Sequence, residues 1–441
     1  MATLLPSLPL RWRGFGLLLG AILLSLPAAG PASGAAPLSF EAPVFYLETI
    51  RVEGLKHASR EIVVSESLLE EGQAYSEDQL RDAVYRIGRL PFVLDAEFSL
   101  RKGSVRDRYE LVISVVETRR WFFTVEASQT EYDSNEFGFE TFGETLLAGR
   151  RFFLGKYGVL FAAIGDEEDG ISVGYNHYNL FDRSILLSAS YSRELTDSDI
   201  ESQRLSLGLG VPLRTNQSLR FSLKYSFADA ESPFLGGFPG RIFSLGDSEA
   251  WEVETAWTFN SLDDPVFPTS GLLLDAAFTY ADASNELKIT DTSFTPPMVD
   301  IQDSSAETFG LQLEARRHWR FARRQSFSLA ARGFAGRSRF SQEGPAFQGS
   351  EVQRRSDDTW SFRAGVGHFR FLQQSRSDTH WRELRWENRL ESETLRRPAD
   401  VFRRAGTETA VILGTGLAYR NGWGVFRFTL RYVWDDEDSG L

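Results

Sequence analysis

Trp251-Glu252-Val253-Glu254-Thr255-Ala256-Trp257-Thr258-Phe259 runs into Asn260-Ser261-Leu262-Asp263-Asp264-Pro265-Val266-Phe267-Pro268-Thr269-Ser270-Gly271, and then into Leu272-Leu273-Leu274-Asp275-Ala276-Ala277-Phe278-Thr279-Tyr280. In an extended chain successive side chains point to opposite faces. Trp251, Val253, Trp257 and Phe259 therefore share one face, with Glu252, Glu254 and Thr258 on the other. Pro265 and Pro268 have no backbone N–H to give a ladder, so they belong to a turn. Ser270-Gly271 restarts the chain as a second strand. Two strands that are apolar outside, polar inside and aromatic at their ends form the repeating unit of a transmembrane barrel.

The unit recurs on both sides of this stretch. Upstream, Leu205, Leu207, Leu209, Val211 and Leu213 alternate with Arg204, Ser206, Gly208 and Gly210, while Phe221, Leu223, Tyr225 and Phe227 alternate with Arg220, Ser222, Lys224 and Ser226. Downstream, Phe309, Leu311, Leu313 and Ala315 alternate with Gln312, Glu314 and Arg316. Near the end Phe426, Phe428, Leu430, Tyr432 and Trp434 oppose Arg427, Thr429 and Arg431. A lipid-facing Arg or Lys at mid-membrane costs roughly 2–4 kcal/mol, so charges confined to one face point to a wet lumen. Turns fall between the strands at residues 179–183 and 214–217 and at Asn421-Gly422, a pair that tolerates the positive φ of a tight hairpin. The polar segments 229–247 and 282–305 read as outer loops, and 340–358 as a further long polar segment.

Composition agrees. The 441 residues have a net charge of −13, which argues against nucleic acid or anionic lipid as the main partner. Mean hydropathy is −0.26, and no apolar run after the N-terminus reaches the ~18 residues of a membrane helix. Gly (37) and Phe (35) are abundant beside 2 Met, which suits alternating strands better than packed helices. The absence of cysteine excludes disulfides, a lipidated N-terminal cysteine and thiolate metal sites.

The N-terminal 36 residues read as a secretory signal peptide: Arg11 and Arg13, an apolar run over 15–26, and small residues up to Ala36. Residues 46–118 have a different pattern. A short strand ends at Gly54, Ile62, Val63 and Leu69 take helical spacing, and Ser76 with Gln79 forms a capping box before a helix bearing Leu80, Val84 and Ile87. Two alternating strands, 92–100 and 109–116, flank Lys102-Gly103-Ser104. The order β-α-α-β-β, with the Gly88-Arg89-Leu90-Pro91-Phe92-Val93-Leu94-Asp95-Ala96 segment, resembles a POTRA domain. The barrel is expected over 120–441.

A signal peptide, one POTRA-like module and a barrel together resemble the BamA/TamA superfamily of outer-membrane assembly and translocation proteins. Members usually carry Asp-x-Arg-Asp…Pro-Thr-x-Gly at a periplasmic turn. Here Asn260-Ser261-Leu262-Asp263…Pro268-Thr269-Ser270-Gly271 keeps the turn half (Asp263, Pro268, Thr269, Gly271) and loses the first Asp and the Arg. The superfamily also folds a Val-Arg-Gly-Phe/Tyr loop into its barrel. Arg332-Gly333-Phe334 has those letters but lies in an alternating strand. Phe369-Arg370-Phe371 stands at the expected position without the glycine, so the inward loop is expected there, with Arg370 as its buried arginine.

The resemblance implies a mainly β fold: an antiparallel transmembrane barrel, nominally of 16 strands, after one small α+β POTRA-like domain. Placing the Pro-Thr-Ser-Gly turn between the eighth and ninth strands makes 311–336 the tenth and eleventh. It makes 381–390 the twelfth, 395–404 a poor thirteenth, and 425–434 the fifteenth. A single-chain bacterial barrel closes with an even number. Either a strand is missed within 130–165, or the seam is irregular.

The implied function is assembly, insertion or translocation of polypeptides at the cell outer membrane, with the POTRA-like domain in the periplasm and no cofactor or nucleotide. Expected partners are outer-membrane lipid, extended or unfolded client polypeptides, and periplasmic accessory proteins. Clients would add as strands at a POTRA edge marked by Phe98, Leu100, Ile50 and Val52. The alternatives are a two-partner-type secretion pore for a dedicated polypeptide and a passive channel. An enzyme is not expected: His57, His177, His318, His368 and His380 sit in no triad-like sequence frame. Asp166-Glu167-Glu168-Asp169 reads as a solvated acidic turn rather than a calcium loop.

Overall fold

A computed structural model describes residues 43–132, 140–165, 170–195, 200–230, 234–238, 241–291, 298–343, 352–376, 381–397 and 406–436. The signal-peptide segment, the acidic turn at 166–169 and His380 lie outside the described residues.

The chain first builds a small α+β domain. It consists of β1 (Val44–Glu53), α1 (Arg60–Ser67), β2 (Ala74–Ser76), α2 (Glu77–Ile87), β3 (Val93–Lys102) and β4 (Arg108–Glu117). The sheet order is β2-β1-β4-β3, with β1 and β4 parallel and the other neighbours antiparallel. The Ser59 hydroxyl accepts the Ile62 N–H at the start of α1, and the expected Ser76–Gln79 capping box forms in both directions at 3.3 and 2.9 Å. Both helices lay their apolar residues on the sheet. Leu47, Ile50, Ile62, Val63, Leu80, Ile87, Leu111 and Ile113 are almost fully buried. The Glu117 carboxylate accepts the N–H groups of Lys56, His57 and Ala58 at 2.8–3.0 Å, fixing the loop into α1.

The barrel begins with β5 (Trp121–Tyr132), β6 (Glu140–Leu154), β7 (Gly158–Gly165), β8 (Ile171–His177), β9 (Leu186–Leu195), β10 (Ile200–Arg214) and β11 (Gln217–Ala230). After the short β12 (Phe234–Phe238) it continues through β13 (Arg241–Asn260), β14 (Gly271–Asp291), β15 (Met298–Ala322) and β16 (Gln325–Glu343). It ends with β17 (Val352–Ser375), β18 (Arg382–Arg397), β19 (Gly406–Asn421) and β20 (Gly424–Asp436). These form one 16-stranded sheet. β12 is a flap that pairs only with β13, while β11 pairs directly with β13, so the closed ring has 15 strands.

The odd number explains the seam. In an up-and-down ring neighbouring strands alternate in direction, so with an odd count the first and last strands must run the same way. β20 accordingly pairs with β5 in parallel, from Gly424 opposite Phe123 to Val433 opposite Tyr132. A Cβ at position 424 would stand 1.7 Å from the Phe123 carbonyl oxygen, so glycine alone lets the two strands meet there. Of the two possibilities left by the strand count, the irregular seam is the one the structure shows. Strands β6 and β7 do fill the 140–165 region, yet the ring total stays odd.

The outer face carries Trp251, Val253, Phe278, Leu311, Val366, Leu390, Leu413, Phe428 and Leu430, each 42–51% exposed. Charged side chains of the same strands turn inward. No described helix is long and apolar enough to cross a membrane, and the crossing elements are strands. Strands β13 to β17 run 19–25 residues, about twice the ~9–11 that a bilayer requires. Parts of the segments expected as outer loops, 241–247, 282–291 and 298–305, are therefore paired strand. Apolar alternation fades beyond the membrane although the hydrogen-bond ladder continues, which is why polarity alone misplaces them. The same holds for β17, which takes in residues 352–358 of the expected polar segment and the expected inward loop at 369–371. It is the twelfth ring strand, so β18 is the thirteenth and residues 395–397 are its end.

The domain and the barrel make one compact unit from Val44 onward. Phe92 meets Phe153 edge-on at 5.2 Å and Tyr178 at 6.2 Å, so the domain core runs on into the barrel rim. Ser65 donates to the Tyr178 carbonyl at 3.1 Å, and the Arg119 N–H donates to the Gly422 carbonyl at 2.8 Å.

Candidate functional site: an inward turn across the barrel floor

Residues 261–270, between β13 and β14, fold into the barrel instead of projecting from its rim. Each polar residue of the turn has a definite task. The Asn260 side-chain oxygen accepts the Leu262 N–H at 3.0 Å. Asp263 accepts the N–H groups of Thr269 and Ser270 at 2.8 and 3.0 Å, and also the Thr269 hydroxyl, closing the loop on itself. Arg320 of β15 donates to Asp263 at 3.2 Å and to Thr269. Asp264 accepts the N–H groups of Val266 and Phe267, both at 2.8 Å. Pro265 and Pro268 bring no N–H that would need a partner.

The last position of the motif is dictated by geometry. Gly271 has φ of +111°, and a Cβ there would meet the Ser261 carbonyl oxygen at 2.2 Å. Only glycine lets β14 leave the turn in this direction.

Phe267, 1% exposed, is the apolar centre of the turn. The guanidinium groups of Arg385 and Arg420 lie 4.3 and 5.0 Å from its ring centre, and Phe371 lies 6.2 Å away. Arg420 grips Asp264 through two nitrogens at 2.9 and 2.5 Å, and donates to Glu383 at 2.8 Å. Glu383, fully buried, also receives Arg376 and Gln374 at 3.0 and 3.1 Å. Two residues along β18, Arg385 donates to Glu387 at 2.9 Å, and Arg389 reaches the same carboxylate. Burial alone would raise the Asp264 carboxyl, but the Arg420 guanidinium and the two turn N–H groups hold it below its ordinary value.

The turn stands between two cavities. Pro265, Val266 and Pro268 are the floor of a lumenal space of about 660 Å3. On the other side Asp263, Asp264 and Phe267 bound a space of about 440 Å3, shared with Tyr85 of α2 and with Leu94, Asp95, Ala96 and Glu97 of β3. Burial raises the Asp95 carboxyl to about 6, with Arg376 opposing the rise and Glu97 adding to it.

The sequence-derived site residues fare unequally. Asp263, Pro268, Thr269 and Gly271 do form one turn. Phe369, Arg370 and Phe371 are not an inward loop but ordinary ladder residues of β17. Phe369 and Phe371 point inward, each 5% exposed, whereas Arg370 is exposed on the opposite face. Arg385 and Arg420 are instead the buried arginines. The aromatic-inside order at 369–371 reverses the usual alternation: Phe371 packs against Phe267, and Phe369 lies against His318 and Arg385. Strict alternation of Glu383, Arg385, Glu387 and Arg389 already marks them as lumenal, but nothing in the sequence around Arg420 pairs it with Asp264.

The edge residues also need correction. Phe98 and Leu100 lie on β3, a sheet edge, but their side chains pack against the domain core. Ile50, 2% exposed, is itself a core residue, and Val52 packs against the core. Both belong to β1, which pairs with β4 along 46–53 and with β2 only at 44–46; on the side away from β4 the Ile50 N–H donates to Glu71 at 3.0 Å and its carbonyl accepts Arg60. What β3 can offer a partner is backbone.

A closed strand ring with an apolar outer belt, a charged lumen and a floor turn defines an outer-membrane β-barrel protein. Residues 165–351 of the chain, a little under half of it, match the Omp85 superfamily domain. In fold it is similar to BamA from Haemophilus ducreyi lacking POTRA domains 1–3 (12% identity, TM-score 0.41, 88% of this chain and 84% of that one). It is also similar to CdiB from Escherichia coli (11% identity, TM-score 0.36, 98% and 96%). No curated protein matches the chain in sequence.

Proposed function

We propose that this protein inserts or translocates polypeptides at the outer membrane, with the small domain acting as a periplasmic POTRA-like module. The carrying observation is the position of β3. It is an edge strand of its sheet, and its residues 94–97 bound the cavity directly beneath the floor turn. An extended segment that adds to this edge is delivered to the barrel mouth, with main-chain hydrogen bonds giving affinity and little sequence demand. Burial of the client's apolar belt in lipid supplies the free energy, so no nucleotide is required. The Omp85 domain supports the same reading.

The seam is a paired ladder rather than an open edge, so a client strand must exchange with β20 or enter elsewhere. Parallel pairing is slightly weaker per residue than antiparallel pairing, which favours exchange at that point. Quantitative outer-membrane proteomics after deletion of the protein tests the proposal. Loss of specific barrel or surface proteins at constant transcript level supports it, and an unchanged proteome rejects it. A passive channel is the less favoured reading, because the floor turn reaches inward from β13 and β14 to Arg385 of β18 and Arg420 of β19.

A further inference from the structure

Above the floor turn the lumen holds arginines in excess. Arg316, Arg363, Arg389 and Arg427 border the 660 Å3 cavity and each has a carboxylate within reach: Glu314, Glu391, Glu387 and Glu126 respectively. Arg385 shares Glu387 with Arg389. Arg332 donates to Gln312, a neutral partner, at 2.9 Å. Arg431 has no carboxylate partner among the described residues.

One row of the ladder concentrates this charge. His318, Ser328, Gly367, Arg389, Gly414 and Arg431 follow one another as paired residues across β15 to β20, and all six border the cavity. Gly414 puts no side chain into the row and leaves room between Arg389 and Arg431, whereas at Gly367 the Phe369 ring and the Ser328 hydroxyl occupy the space. His318 is only 4% exposed, yet neither ring nitrogen has a hydrogen-bond partner among the described residues. The same holds for Nη1 of Arg385, 2% exposed. These buried groups lie within the cavity wall, and the guanidinium groups open to the cavity are those of Arg332, Arg363, Arg389 and Arg431, which present donors to a ligand with acceptor atoms. Phe369, which also borders the cavity, lies 5.7 Å from His318 and 4.5 Å from Arg385.

We propose that this cavity is a binding site for a compact, multiply charged oxyanion of the phosphate type. Forked guanidinium donors match such oxygens, and the volume lies within the range of small-ligand sites. The oxyanion is either a free solute or the headgroup of a phospholipid.

Inorganic pyrophosphate is the probe, titrated calorimetrically into the full-length protein in a non-ionic detergent. Saturable binding that orthophosphate displaces and chloride at equal ionic strength does not is the expected result. The double variant R389Q/R431Q weakens it by at least about tenfold. The single variant E391Q, which frees Arg363, strengthens it. Short-chain phosphatidic acid that displaces the probe assigns the site to a lipid headgroup, and failure to displace assigns it to a free solute. Absence of saturable binding overturns the proposal. So does unchanged affinity in the folded double variant or, should that variant not fold, unchanged affinity in E391Q.

Discussion

Arg420 and Asp264 lie 156 positions apart in sequence, and their side chains meet at 2.9 and 2.5 Å on the barrel floor. The pair ties the β13–β14 turn to β19, near the seam. Glu383, buried beside it, shares the same guanidinium and also receives Arg376, so two cations balance two carboxylates taken out of water.

Replacing Arg420 by Gln leaves Asp264 without its ionic partner and Glu383 with Arg376 alone. Removing one member of a buried pair costs about 3–5 kcal/mol. The variant is expected to unfold at lower urea and to show larger and more frequent conductance steps in planar bilayers. Conductance equal to that of the parent would mean that the turn does not control the lumen.

Gly271→Ala tests the turn from its backbone. The φ of +111° and the 2.2 Å approach to the Ser261 carbonyl leave no place for a methyl group. Strain of about 1–3 kcal/mol is expected, read as a lower temperature for the heat-induced shift in gel mobility.

Asp95 gives the junction a pH dependence of known sign. Its folded-state value, about 6, lies above its ordinary 3.8. Over that interval the folded state holds more protons than the unfolded one, so stability falls as pH rises from about 4 to 6 and stays low above it. Asp95→Asn should flatten this slope and raise stability at pH 7.5, measured as urea midpoints across the range. An unaltered profile would exclude Asp95 as its source.

The seam can be tested by cross-linking, because the chain has no cysteine. A parallel ladder sets Thr124 against Val425 and Ala127 against Phe428. Double-cysteine variants at each pair should both form disulfides under mild oxidation. An antiparallel seam can satisfy at most one of them.

Much of the fold was legible because lipid and lumen impose opposite demands on alternate residues. Trp251 and Val253 against Glu252 and Glu254 are enough to assign β13, and Ser76 with Gln79 is enough to start α2. Legibility ended where those demands lapse. Along β17 Phe371 faces inward to meet Phe267 and Phe369 to meet His318 and Arg385, so the alternation inverts and the strand reads as loop. In the membrane-distal parts of β14 and β15 neither face meets lipid. The floor turn was recognisable from Asp263, Pro268, Thr269 and Gly271, since a positive φ and two residues without N–H leave a mark on composition. Its partners Arg385 and Arg420 come from strands more than 100 positions away, and no local pattern encodes that meeting.

The parallel seam also bears on how such a ring can change over generations. Barrels grow and shrink most easily by whole hairpins, the smallest piece that returns the chain to the same mouth. Each hairpin adds or removes two strands, so any number of such events leaves parity, and with it the relative direction of β5 and β20, as it was. Only gain or loss of a single strand can reverse it, and that same event would move one end of the barrel chain to the other side of the membrane.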